Sequence, residues 1–562
     1  MLMAGAAALV ASGCHGKSNE GSTPPPAAAA ALAPVPAPPG LLAKAKMPTP
    51  EASWQKVQRG VGGTFGILPS TLGGMMCAVA GLDAGLGPEI DGGAAAYAVF
   101  AGAPTAPSWA IAARLVEERK ARALYEGEAA RFDVQPAGEG ISLLVPKGRT
   151  LGRGPVAAIA QGGWFVLARS ADDLAALAPY ATRTLPVASP ADGTRDEAIS
   201  IDVPKEALAG PIAAALAQSW SAAENQMLAD DRALRDQHGG RAPDFGDPRA
   251  IVKSLDDSIQ KKLAVLGDLA GVHVGVLVGD DDVRAVIAGD PASIAGAAAS
   301  LASSFAPGDL APVLALRRDV AGVLFERQDR AGRTADSARF EASLASALGA
   351  RLTPPDEKRL HTAIDDWTKS RGDWSTLAVL AGADGRGLVG DFASLDTALT
   401  GRALHEALDA AAHVKGLHDP LEHWLHVRDV RFGSGDLPSG ARATTAKVLT
   451  DAPPGYTVAW TAGTSDVQVA LAEAPLPLLA PPAAGGTLGD DPVMRTLLTP
   501  LGLVGGLLFA QPGRLPGCAG LGGGVAFAWG IRSGESSRGT AALWGQLAAS
   551  DPAVRCLAKV AF

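Results

Sequence analysis

The stretch VAAIAQGGWFVLARSADDLAALAP, residues 156–179, carries the pattern on which the fold prediction depends. Two short apolar runs flank the turn residues Gln161-Gly162-Gly163, as expected of a β-hairpin. Ser170 follows the second run and Asp173 lies three residues later, which is the arrangement of a helix N-terminal cap. The stretch therefore predicts two antiparallel strands followed directly by a helix that starts at Leu174.

The same order of elements returns near the C-terminus. Residues 457–471 again contain two apolar runs around a Gly-containing turn, and the LPLLAP of residues 476–481 matches the LAALAP of residues 174–179. A further strand that ends at a Pro follows in each copy, at residues 199–204 and 507–512. Weaker copies of the hairpin lie at residues 275–288 and 377–389.

Repeated hairpin and helix units predict an α+β fold, with antiparallel sheets and helices packed on one face. We predict two related halves. A first α+β domain covers residues 53–240 and includes a long helix in the stretch from Lys205 to Asp236, and a second, duplicated α+β domain covers residues 241–562. The most apolar internal run, Leu497 to Ala510, is too short and too rich in Gly and Pro for a membrane span, so we expect it in a core.

The composition is that of a globular protein. Its 562 residues suffice for two or three domains, and 47% hydrophobic against 19% charged residues allow enough apolar burial for folding. A formal net charge of -9, without an extended Lys/Arg block, gives no electrostatic footprint for nucleic acid, which we exclude as a partner. The same charge favours no adhesion to anionic lipid, so membrane attachment must come from the N-terminus.

The N-terminus carries a pattern typical of export. A short run of apolar and small residues ends in Val10-Ala11-Ser12-Gly13-Cys14, which resembles the lipobox of bacterial lipoproteins. The resemblance covers the first fifteen residues and implies removal of residues 1–13 as a signal peptide and acylation of Cys14. Because His15 rather than Asp follows the Cys, it also implies attachment to the outer membrane of a two-membrane cell, facing the periplasm or the cell surface.

Residues 14–52 are rich in Pro and Ala, a composition that favours extended chain. We predict a tether that holds the folded body away from the lipid. Three cysteines remain when Cys14 carries lipid, and an exported protein can retain disulfides. We predict a disulfide between Cys518 and Cys556, because closing that loop would stabilise the fold by about 4 kcal/mol. Cys77 is expected to be a buried thiol.

A histidine cluster offers the clearest chemical potential, since imidazole and carboxylate together are the ligands of zinc and nickel sites. In a helix over residues 419–429, side chains three and four residues apart could converge. His418, His423 and His426 are therefore the predicted metal ligands, with zinc as the candidate ion. The alternative is a solvated helical segment with scattered histidines. The full cluster comprises His405, His413, His418, His423 and His426, near Asp419 and Glu422.

Catalytic motifs are weak in this sequence. Ser258-Ile259-Gln260-Lys261 has the Ser-x-x-Lys form of penicillin-binding proteins, but neither companion motif follows. We therefore expect a non-catalytic binding or scaffolding role in the cell envelope, without a cofactor, with a lipid-anchored attachment to the membrane and another envelope protein as candidate partner. One alternative is a metal-binding protein or metal-dependent hydrolase that uses the cluster from His405 to His426. Another is a periplasmic carrier whose curved sheet shelters an apolar ligand.

Overall fold

The structure is a computed structural model, and the chain forms two compact units in it. Unit 1 takes its described residues from Met1–Ala215 and Leu269–Asp290, and unit 2 takes its own from Leu216–Asp268 and Pro291–Cys556. Apart from a few single positions, the described residues are 32–61, 71–82, 84–126, 132–147, 154–188, 197–237, 247–279, 282–291, 307–382, 385–451, 455–482, 485–511, 523–532 and 542–550.

The described part of unit 1 contains ten strands, which pair in the order β4-β5-β6-β7-β3-β2-β1-β8-β9-β10. Every pairing whose register is defined is antiparallel. The strands are β1 (Leu41–Met47), β2 (Ala96–Ala101), β3 (Ser108–Arg114), β4 (Phe132–Pro136), β5 (Ile141–Pro146), β6 (Val156–Ala160), β7 (Trp164–Ala168), β8 (Ile199–Pro204), β9 (Leu269–Val278) and β10 (Asp282–Pro291). The helices are α1 (Pro50–Val61), α2 (Leu72–Val79), α3 (Glu118–Glu126), α4 (Ala171–Pro179), α5 (Leu185–Ala188) and α6 (Lys205–Ala207).

Helices cover both faces of the unit 1 sheet. The two strands β6 and β7 are buried at every position, because successive side chains point to opposite faces and each face has a helix. On one face Val166 shares a core cluster with Leu174 of α4. On the other, Phe165 shares a cluster with Met76 and Cys77 of α2. The prediction that helices pack on one face only is therefore wrong for unit 1.

The described part of unit 2 also contains ten strands, in the order β14-β15-β16-β17-β13-β12-β11-β18-β19-β20, with every pairing antiparallel. The strands are β11 (Val320–Arg327), β12 (Arg371–Gly382), β13 (Gly385–Ser394), β14 (Val427–Asp436), β15 (Arg442–Thr450), β16 (Tyr456–Ala462), β17 (Asp466–Ala472), β18 (Gly506–Ala510), β19 (Val525–Arg532) and β20 (Ala542–Ser550). The helices are α7 (Ala213–Gln237), which begins within unit 1, α8 (Pro248–Asp268), α9 (Ala311–Leu314), α10 (Arg330–Leu348), α11 (Pro354–Ser370), α12 (Thr397–His413), α13 (Lys415–Leu425) and α14 (Pro492–Leu498).

Local sequence signals explain several element ends. The predicted hairpin over residues 156–179 is present as β6 and β7, and Gly162 and Gly163 in its turn have φ values of 90° and 76°, which favour glycine. The hydroxyl of Ser170 accepts the backbone N–H of Asp173, so the predicted cap is confirmed, and α4 begins at Ala171. The predicted long helix is also confirmed, as α7 together with the helical turns that precede it.

Part of the apolar run Leu497 to Ala510 lies in the core of unit 2, as predicted, whereas Leu503 and Leu508 are 61% and 54% exposed. The run contains the end of α14 and the whole of β18, and Leu498, Val504 and Leu507 are all fully buried. None of the helices in the described ranges is long and apolar enough to cross a membrane.

Candidate functional site

The predicted cysteine sites lie mostly beyond the described part of the chain. The lipidation residue Cys14 and the two cysteines of the predicted disulfide, Cys518 and Cys556, are outside the described residues. Cys77 is fully buried on α2, where it belongs to a core cluster with Leu72 and other apolar side chains. A buried position of this kind agrees with the expected role of Cys77 in packing.

The histidine cluster occupies two helices of unit 2. His405 and His413 lie on α12, and His418 and His423 lie on α13. The second helix ends at Leu425, and His426 follows it with a left-handed φ of 54°. The helix considered over residues 419–429 therefore ends early, at Leu425. His423 and His426 do not lie three residues apart on one helix, as the metal-site hypothesis assumed.

The contacts of these histidines are pairwise. The ring of His405 stacks against Phe432 with 3.7 Å between centroids. Nδ1 of His413 is 2.9 Å from the carbonyl oxygen of Asp409, and Nε2 of His418 is 3.9 Å from a carboxylate oxygen of Glu422. Within the described ranges, no group of three or more His, Cys, Asp or Glu side chains is arranged to hold a metal ion. Zinc binding stays a prediction that these contacts do not support.

A second polar cluster, centred on His273 of β9, lies in unit 1. Nδ1 of His273 is 2.8 Å from Oδ1 of Asp202 on β8, and Nε2 is 3.1 Å from Oε2 of Glu197. The carboxylate of Asp202 is also 3.7 Å from Nζ of Lys44 on β1. Side-chain contacts therefore join the three neighbouring strands β9, β8 and β1.

The hydrogen bonds that His273 donates to the carboxylates of Asp202 and Glu197 raise its pKa to about 9. The hydrogen bond from His273 in turn lowers the pKa of Asp202. At neutral pH the imidazole is thus protonated, and both of its ring nitrogens donate. A protonated imidazole cannot accept a proton, so this cluster is suited to stabilising the sheet and not to general base catalysis.

A carboxylate pair lies within the unit 2 sheet. Asp391 on β13 opposes Gln468 of β17, and Asp466 of β17 opposes Ala393, so the two carboxylates are diagonal neighbours on one face. Burial, together with the nearby Asp466 carboxylate, raises the pKa of Asp391 to about 7. The cross-strand neighbour Thr376 is 1% exposed. We interpret the pair as a proton-sharing element of the sheet and not as a reaction centre.

The opposite face of the unit 2 sheet carries an exposed apolar surface. Four strands place Phe527, Leu508, Leu324 and Leu377 directly opposite one another in a row, from β19 through β18 and β11 to β12. Two residues further along β12, Val379 opposes Leu388 of β13. We call these six side chains the apolar strip. Their exposed fractions are Leu324 39%, Leu377 45%, Val379 46%, Leu388 37%, Leu508 54% and Phe527 36%.

An aromatic and polar row borders the apolar strip on the same face. It runs through Trp529, Gly506, Glu326, Ser375 and Phe392, each opposite the next. A Cβ on Gly506 would overlap the Trp529 ring, so the absent side chain leaves room for that ring to lie across β18. A Cβ at Gly390, within the row of Leu377, would similarly lie 2.7 Å from the Phe392 ring. The rings of Trp529 and Phe392 therefore lie at the two ends of the row that borders the apolar strip.

Comparisons with known proteins identify no relative: no family model, curated protein or solved structure matches the chain. The geometry of unit 2 therefore has to support any functional conclusion. Sequence reasoning missed the apolar strip, although a signal was present. Residues 377–380 of β12 and 507–510 of β18 are apolar at consecutive positions, which makes both faces of each strand apolar.

We predict that His273→Gln lowers stability more at about pH 6 than at about pH 10. Because the folded-state pKa of about 9 exceeds the usual 6.5, the stabilisation is complete below pH 6.5 and is lost as the pH rises through 9. One pKa unit corresponds to about 1.4 kcal/mol. Solvent screening of the partly exposed cluster reduces the effect, so we expect a loss of roughly 1–2 kcal/mol at the lower pH. Thermal unfolding followed by circular dichroism measures it.

The matched control is His361→Gln on α11, where the histidine is exposed and contacts Glu341. A surface substitution of this kind should change stability by less than about 0.5 kcal/mol at either pH. An equal loss for His273→Gln at both pH values would contradict the assignment of a charged imidazole.

Proposed function

We propose that the chain is a lipid-anchored protein of the cell envelope and that unit 2 binds an acyl chain on the apolar strip. One observation carries the binding proposal: six large apolar side chains lie side by side, each at least 36% exposed, at the centre of a sheet. Contiguous exposed apolar surface is unfavourable in water and marks binding sites. Among the non-catalytic roles expected from the sequence, we therefore favour that of a carrier of an apolar ligand.

The position of the apolar strip favours an acyl chain over an added protein strand. Strand addition requires a sheet edge with unpaired backbone groups, whereas β12, β11 and β18 each have a hydrogen-bonded neighbour on both sides. The row from Phe527 to Leu377 crosses three inter-strand spacings, which is about 14 Å. A row of that length, without backbone donors or acceptors to offer, fits a flexible hydrocarbon.

We further propose that the two units arose by duplication. When the strands of each unit are numbered from one to ten, both sheets have the order 4-5-6-7-3-2-1-8-9-10. Both units have described helices in three connections: first to second strand, third to fourth, and seventh to eighth. The described helices differ between the eighth and ninth strands, where α6, α7 and α8 follow the eighth strand of unit 1 only. The repeated segments at residues 156–179 and 457–481 both contain the sixth and seventh strands, which agrees with a common origin.

The proposed duplication includes a difference that bears on binding. On the unit 1 face covered by the first and third connections, one row contains Val274, Ile201, Ala45 and Ala98. The first two strands of unit 1, β1 and β2, therefore present Ala45 and Ala98. At the corresponding positions of unit 2, β11 and β12 present Leu324 and Leu377. None of these four unit 1 side chains is among the exposed large apolar residues. We therefore place the ligand on unit 2 alone.

Two leucines of the apolar strip provide the binding test. The double variant Leu324→Lys with Leu377→Lys should bind the neutral apolar dye Nile red at least tenfold more weakly. Each buried leucine contributes about 1.5–3 kcal/mol to an apolar contact, and both positions tolerate charge because they are exposed. A titration of dye fluorescence with the full chain carrying Cys14→Ser measures the affinity.

The matched control is Leu395→Lys, at a leucine of unit 2 that is 71% exposed and lies outside the apolar strip. It should leave dye affinity unchanged. Equal affinity of the double variant and the unsubstituted chain would refute the proposed binding surface.

The anchor is tested by metabolic labelling. Cells that express the chain should incorporate radiolabelled palmitate into it, because the lipobox resemblance implies acylation of Cys14. Cys14→Ser should lose the label completely, whereas Cys77→Ala should keep it, since Cys77 is fully buried. Label that persists in Cys14→Ser would place the lipid elsewhere and contradict the proposed anchor.

A further inference from the structure

Arg371, the first residue of β12, forms no ion pair with any residue that the structure describes, although the exposed Glu326 attracts it electrostatically. Its guanidinium lies 5.2 Å from the ring centroid of Trp367 and 5.9 Å from that of Phe392. Its Nε is buried and donates no hydrogen bond. Burial lowers its pKa, and the positive charge of Arg333 lowers it further.

Arg333 on α10 is a buried guanidinium in the same region, whereas Arg371 is half-buried as a whole side chain. Arg333 is 8% exposed, and its Nη1 donates to the carbonyl oxygen of Gln328 over 2.6 Å. Its Nε is also buried without a partner. Asp373 and Asp329 attract Arg333 electrostatically. The positive charge of Arg371 is compensated more weakly than that of Arg333, because Glu326, the carboxylate that attracts Arg371, is exposed to solvent.

Arg371 pairs with Ser394 and therefore lies beyond the row that borders the apolar strip, on the same face of the sheet. Phe392, under the guanidinium, belongs to the row that borders the apolar strip, and its ring lies against Gly390 in the row of Leu377. Glu326 lies two residues after Leu324, on the same face of β11. The face therefore has an apolar centre, with the Glu326 carboxylate in the bordering row and the Arg371 cation beyond that row.

We propose that the ligand of unit 2 is a long-chain amphiphile with an oxyanion head, a carboxylate or phosphate, that accepts hydrogen bonds from Arg371. This inference rests on the proposed binding of an acyl chain and specifies its head group. The chain lies along the apolar strip, and Arg333 adds positive charge behind Arg371. A guanidinium offers two parallel N–H donors that match a carboxylate or phosphate. Such a ligand compensates a charge that is otherwise desolvated without a partner.

A purely structural role for Arg371 makes a different prediction. Stacking on Trp367 and Phe392 would attach the end of α11 to β13 through cation–π contacts, each of modest strength. That role accounts for the position of the guanidinium but not for an unpaired buried Nε beside a second cation. It also predicts no preference between charged and neutral ligands, which makes the two roles separable by experiment.

The test compares a fluorescent long-chain fatty acid with its methyl ester on the full chain carrying Cys14→Ser. The acid should bind at least tenfold more tightly than the ester. Arg371→Met should remove that preference: the affinity for the acid should fall at least tenfold, and the affinity for the ester should stay the same. Arg371→Lys should retain part of the preference for the acid. Arg431→Met, at an exposed arginine of β14, is the matched control and should change neither affinity.

The outcomes separate this inference from the proposed function. Tight binding of acid and ester alike would overturn the head-group assignment and leave acyl-chain binding in place. Binding of neither probe would overturn the proposed function together with this inference. If Arg371→Met fails to fold by circular dichroism, Arg371→Gln, which also removes the positive charge, gives the same comparison. An undiminished preference for the acid in a folded Arg371→Met variant would refute the role of Arg371.

Discussion

The register of β11 is the constraint on which the rest of unit 2 depends. Pairing with β12 on one side and β18 on the other fixes which side chains share a face. Val323 and Phe325 are thereby buried, at 2% and 0% exposure, while Leu324 between them is 39% exposed. Because the side-chain period of a strand is two, a slip of one residue would exchange the two sets and expose the core. Burial of Phe325 therefore fixes the outward position of Leu324.

The outward face follows from that register and combines two unfavourable features. Exposed leucines cost solvation free energy of about 25 cal/mol for each Å² of apolar surface, and an unpaired guanidinium such as Arg371 loses hydration. Either feature alone would weaken the fold. Together, on one face of the sheet, they form a complement to a molecule that has a hydrocarbon chain and an anionic head. A bound amphiphile would offset both costs, and for this reason we treat them as one surface.

Local sequence patterns predicted several elements whose interactions are local, although the tether predicted over residues 14–52 includes β1, which pairs with β2 and β8. The hairpin of β6 and β7, the Ser170 cap and the long helix α7 all depend on neighbouring residues. Contacts between residues far apart in the sequence could not be predicted from local patterns. For example, β9 and β10 extend the sheet of unit 1 although α7 and α8 precede them in the chain. Helix coverage is equally non-local, which is why the apolar strip escaped detection. The predicted ligands His423 and His426 do not lie on one helix, because α13 ends at Leu425, before His426, a boundary that no Gly or Pro marks.

Photoaffinity labelling tests the central claim most directly. A long-chain fatty acid with a diazirine group in its hydrocarbon chain would be irradiated with the full chain carrying Cys14→Ser, and the labelled residues would be identified by peptide mass spectrometry. The account predicts labels concentrated on β11, β12, β18 and β19, and their loss in the presence of excess unlabelled fatty acid. Labels confined to other strands or to unit 1, or labels that excess fatty acid does not displace, would contradict it.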